Sequence, residues 1–84
     1  MPRYFFHVVN GKFMPDNTGT ECENAEDVRG RAVEAAGAMI QEQGFDLWKT
    51  GSWYMFVCDA ANNTLLKLVF QAEDLTGQLG DMPH

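Results

Sequence analysis

Apolar positions along this chain change their period twice. From Arg3 to Val9 (RYFFHVV) aromatic and β-branched residues crowd together, a composition that suits a strand. Asn10-Gly11 follows, the pair favoured where both central residues of a two-residue type I′ turn need positive φ, and it predicts a return strand over Lys12 to Met14. Pro15 ends that strand, and Pro15-Asp16-Asn17-Thr18-Gly19 is turn chemistry throughout. The period then lengthens. Val28, Ala32, Ala35, Ala36, Met39 and Ile40 recur at helical spacing, with Glu26, Arg29, Glu34, Gln41 and Glu42 on the opposite side. Asn24 suits the N-cap, Glu26 and Asp27 place carboxylates at the positive end of the helix dipole, and Gly44 predicts the stop. Residues Phe45 to Gly51 are expected as a link. A period of two returns in Ser52 to Cys58 and Thr64 to Phe70, a second hairpin around Asp59-Ala60-Ala61-Asn62-Asn63.

These elements predict an α+β fold: a four-stranded, mainly antiparallel sheet, built as β-hairpin, α-helix, β-hairpin, with the helix packed on one face. The chain of 84 residues has room for one such domain, expected over residues 1–72, and 73–84, with Gly77, Gly80 and Pro83, reads as a flexible tail. Gly30 and Gly37 lie seven apart in the helix and predict close approach of a neighbouring element there. Asp27 and Arg31 are spaced for an i,i+4 ion pair.

Alternation assigns faces. A two-residue turn pairs Val8 with Phe13 and His7 with Met14, so Tyr4, Phe6, Val8 and Phe13 share one face and Phe5, His7, Val9, Lys12 and Met14 the other. Pairing Cys58 with Thr64 sets Tyr54, Phe56, Leu66, Leu68 and Phe70 against Trp53, Met55, Val57, Leu65, Lys67 and Val69. Both faces come out apolar, and one helix covers only one of them. The second face asks for a cover, and Phe5, His7, Val9, Met14, Trp53, Met55, Val57 and Lys67 are its candidate interaction residues.

Charge narrows the choice of partner. Acidic residues outnumber basic ones 12 to 6, for a net charge of −6, a field that repels phosphate backbones. The basic residues are scattered, so nucleic acid is disfavoured. The stretch Tyr4 to Val9 is too short for a signal-peptide core or a membrane span, so no membrane association and a cytoplasmic location are expected. Cys22 and Cys58 are then expected as reduced thiols.

The opening Met-Pro-Arg-Tyr-Phe-Phe-His, the Pro15-Asp16 turn with Gly19 beyond it, the Ala-rich helix and a closing strand from Trp53 into an Asp59 turn occur in this order. Together they resemble a family of short, uncharacterised bacterial proteins, found largely in soil and plant-associated alphaproteobacteria and described as a domain of unknown function. The resemblance covers Met1 to Ala72. It implies a small cytosolic domain and brings no activity and no site residues. Where such proteins often carry Asp-Gly in the last turn, this chain has Asn62-Asn63, and Asn also tolerates left-handed backbone.

Chemistry-bearing residues are few. His7 stands in an apolar strand, where a histidine packs and makes one hydrogen bond more often than it reacts. Cys58 beside Asp59 lacks any CxxC, HxxH or HExxH spacing, so no metal is expected. Cys22 precedes the helix cap and reads as an inert thiol. The oxygens of Asp16 to Glu21 lack the alternation of a calcium loop. No cofactor motif is present. The reading that follows is a non-enzymatic interaction or regulatory module, a homodimer or a partner-protein dock, acting through the second sheet face. Its alternative is a small-molecule binder or modest enzyme around Phe5, His7, Trp53 and Met55, with Cys58 or Asp59 at the rim.

Overall fold

A computed structural model describes residues 2–76 and shows an α+β domain. Its elements are β1 (Arg3–Val9), β2 (Phe13–Met14), β3 (Thr20–Glu21), α1 (Ala25–Thr50), β4 (Ser52–Cys58) and β5 (Thr64–Gln71). The antiparallel sheet has five strands, not the expected four. Its order is β2-β1-β4-β5, and β3 also pairs with β1. Both short strands lie along one edge of β1: β2 opposite Val8 and Val9, β3 opposite Arg3 and Tyr4. Residues 15–19 loop out between them, one edge strand interrupted in the middle. The hairpin layout therefore holds only approximately, since β1 and β4, the inner strands, come from different hairpins.

Both hairpin registers differ from the simplest count. Val9 pairs with Phe13, which leaves a three-residue loop, Asn10 to Lys12, in which only Gly11 is left-handed; a type I′ turn would need two such residues. In the second hairpin Cys58 pairs with Thr64 but Val57 with Leu66, so Leu65 is an extra residue in β5. A shift of one residue turns every following side chain to the other face. Trp53, Met55 and Val57 thereby join Leu66, Leu68 and Phe70 under the helix, and Met14 joins Val8 there.

The helix starts where local chemistry dictates. Asn24 accepts the Asp27 N–H at 2.8 Å, and Asp27 accepts the Glu23 N–H at 2.9 Å. The Asp27 carboxyl sits below its usual range, first because of the Glu23 amide and then, against a smaller opposing effect of burial, because of Arg31, whose Nε lies 3.0 Å away. The helix does not stop at Gly44. It passes a kink at Gln43 and ends at Gly51, whose φ of 82° and N–H donation to Leu47 at 2.7 Å make the left-handed cap. Carrying the helix past Gly44 brings Leu47 onto the core.

That core is the seam between α1 and the inner face of the sheet. Val28, Ala32 and Ala36 meet Val8, Trp53, Met55 and Val57, with Cys22 closing one end. Small alanines let the helix sit close, while Trp53 supplies bulk and meets Phe70 edge to face at 5.6 Å. No close approach accounts for Gly30 and Gly37: a Cβ at either would meet nothing within 4 Å. Residues 77–84 of the expected tail lie outside the described residues. No described helix is long and apolar enough to cross a membrane.

Candidate functional site

The outer face of the sheet, opposite α1, carries the largest set of side chains that the core does not use. Cross-strand pairing sets Phe5 beside Cys58, His7 beside Phe56 and Val9 beside Tyr54, with Phe13 next to Val9 on β2 and Val69 next to Tyr54 on β5. Residues opposite one another in an antiparallel pair share a face. The rings form a belt: Phe5 stacks on His7 at 6.4 Å, His7 meets Phe13 at 5.7 Å, and Tyr54 stacks on Phe56 at 6.3 Å. Lys67, opposite Phe56, holds its Nζ 5.3 Å from the Tyr54 ring and 5.7 Å from the Phe56 ring. Phe13 is 60% exposed and Val69 50%. Among the described residues no element packs over this belt.

The expected interaction set is thus divided between two faces. Phe5, His7, Val9 and Lys67 stand on the outer face, whereas Met14, Trp53, Met55 and Val57 lie on the helix side, the last three at most 1% exposed. In their place the outer face carries Phe13, Tyr54 and Phe56. Their signal in the sequence was alternation, hidden because the register depended on one loop residue and one bulge residue.

His7 is held by the loop between β2 and β3. Its Nδ1 accepts the backbone N–H of Asp16 at 3.0 Å, which requires a neutral imidazole to carry its proton on Nε2. The Asp16 carboxylate turns back to the sheet: Oδ2 accepts the Phe6 N–H at 3.1 Å, and Oδ1 accepts those of Thr18 and Gly19, each at 3.0 Å. Burial alone would raise the Asp16 pKa, but the Gly19, Phe6 and Thr18 amides hold it below the usual value. Gly19 has a φ of 77°, and a Cβ there would meet Arg3 Cγ at 2.7 Å and the Phe5 ring at 2.9 Å. The loop is accordingly a clasp on the edge of β1, with its acidic oxygens occupied by amides.

Neither thiol stands where it could react. Cys22 is fully buried, and burial first, then Asp27, push its thiol pKa up against a smaller opposing effect of Arg31. Cys58 is 6% exposed, its Sγ 3.6 Å from Thr64 Oγ1. Asp59 spends its carboxylate on the Ala61 and Asn63 amides and the Asn63 side chain, while Asn62 takes the left-handed turn position at φ 67°. No three His, Cys, Asp or Glu side chains converge as a metal site among the described residues. The clefts described in the structure lie away from His7: between α1 and the β1–β2 edge, along α1 itself, and beside Trp48.

No curated protein and no solved structure matches the chain. Residues 3–71, from the first residue of β1 to the last of β5, match a family described as a domain of unknown function, and the chain belongs to that family, DUF6894.

Proposed function

We propose that this domain is a small non-enzymatic interaction module, acting in the cytoplasm, that self-associates through its outer sheet face. The observation that supports this reading is the aromatic belt of Phe5, His7, Phe13, Tyr54 and Phe56, with Lys67 lying over the Tyr54 and Phe56 rings and the other paired charges of that face, Arg3 and Glu21, joined to each other at 3.5 Å at its end. Apolar burial would supply the affinity.

Charge placement favours a second copy as the occupant. Glu26, Glu34 and Glu42 all lie on α1, on the other side of the sheet, so two molecules meeting by their outer faces keep their acidic helices apart. With a net charge of −6 the assembled pair stays soluble.

Light scattering coupled to size exclusion tests the reading on the full chain and on Phe56→Glu, with circular dichroism to establish that the variant folds. A dimer that the substitution converts to a folded monomer supports it. A wild-type chain that remains monomeric at every concentration up to the millimolar range overturns it.

A further inference from the structure

Away from the outer face, α1 leaves a second surface incompletely covered. The helix packs along β4 and β5, and between its flank and the β1–β2 edge there remains a groove of about 670 Å³, within the size range of small-molecule sites. Phe6, Val8 and Met14 form its floor, with Ala35, Ala38 and Met39 along the helix wall. These side chains are apolar and two are alanines, so the space is a consequence of side-chain size: larger residues at 35 and 38 would fill it.

The polar groups lining the groove are of one predominant sign. Glu34, Glu42 and Asp16 line it against a single Arg31. Arg31 is already paired with Asp27 at 3.0 Å, and Asp16 accepts three backbone amides, whereas neither Glu34 nor Glu42 has an ion pair among the described residues. Gln43, at the helix kink, also lines the groove, and its Oε1 is buried without a hydrogen-bond partner. A buried acceptor left unpaired costs free energy that an arriving donor restores.

We infer that this groove binds a small hydrophobic ammonium ligand, its alkyl or aryl body on Phe6, Val8, Met14 and Met39 and its N–H donors toward Glu34, Glu42 and Gln43. An anion of the same shape meets the same floor and the wrong rim. The site is independent of the outer face, lying on the other side of the sheet.

The test is an amide chemical-shift titration of the labelled full chain with n-octylammonium, and with octanoate as the control of equal chain length. Octylammonium is expected to move the amides of Phe6, Val8, Ala35, Ala38 and Gln43, leaving those of Tyr54 and Phe56 in place. The Glu34→Gln, Glu42→Gln double variant should weaken it about five- to ten-fold, the value of two exposed charge pairs. Ala38→Trp should abolish it by filling the space, with thermal melting to establish that both variants fold. Equal binding of octanoate, shifts confined to the outer face, or no saturable shift with the folded wild type each overturns the inference. So does a basic amphipathic peptide that moves the groove amides where octylammonium does not.

Discussion

The backbone N–H of Asp16 donates to His7 Nδ1 at 3.0 Å, while the Asp16 carboxylate accepts from Phe6, the residue before His7, at 3.1 Å. Asp16 thus grips β1 at two adjacent residues, by its N–H at His7 and by its carboxylate at Phe6, and the loop that carries it is fastened to β1 without a regular strand ladder. Removing the His7 ring leaves the Asp16 N–H unpaired, and removing the Asp16 carboxylate leaves the Phe6, Thr18 and Gly19 N–H groups unpaired.

Asp16→Ala should destabilise the domain by about 2 kcal/mol, because three amides lose a charged acceptor. The pH dependence has a definite sign. The folded carboxyl titrates below its ordinary value, so its stabilisation is complete above the unfolded pKa, about pH 4, and is lost as the pH falls through the lower folded value. Urea unfolding at pH 7 and pH 3 should show a larger acid loss in the wild type than in Asp16→Asn.

His7→Phe keeps an aromatic ring beside Phe5 but removes the acceptor for the Asp16 N–H. A cost of about 1 kcal/mol or more is expected. Hydrogen exchange gives the sharper reading: the Asp16 amide should lose protection in the variant, while the Met55 and Val57 amides keep theirs.

Glycine substitutions should divide by position. Gly30→Ala and Gly37→Ala face open space in the middle of α1 and should each stabilise by about 1 kcal/mol. Gly19→Ala should destabilise, since its φ is positive and its Cβ would press on Arg3 and Phe5. Thermal melting of the three variants separates the two classes by sign.

The bulge at Leu65 can be tested through tryptophan. Trp53 is 1% exposed and Trp48 59%. In Trp48→Phe the remaining emission should be blue-shifted and resistant to acrylamide, whereas a register without the bulge would turn Leu66, Leu68 and Phe70 to the outer face and strip Trp53 of its Phe70 cover, leaving it open to quenching. Met55→Glu should likewise abolish folding where Phe56→Glu does not, because only Met55 is under the helix.

What could be read from the sequence was what neighbours in the chain decide. The start of α1 was legible because Asn24, Glu26 and Asp27 act within one turn, and the Asp27–Arg31 pair followed from spacing alone. Its end was not, because Gly44 and Gly51 are equally good stops and packing of Leu47 favours the second. The outer face was legible as a second apolar surface, yet half its candidate members were assigned to the wrong side by the lengths of two irregularities, Asn10–Lys12 and Leu65. The two-residue strand β3 carries no pattern of its own: it exists because Arg3 and Tyr4 are there to pair with. The partner of His7 was invisible for the same reason, since a loop brings the Asp16 amide back to it.

The clasp at Asp16 also gives the sheet a polarity. Along the β1 side, Pro15 offers no N–H, the Phe6 amide is already taken, and the two short strands are separated by a loop. On the far side β5 runs eight residues from Thr64 to Gln71 with no strand beyond it among the described residues. Lateral growth of the sheet has therefore one growing end and one blocked end. The blocked border confines edge-to-edge addition to β5 on each molecule.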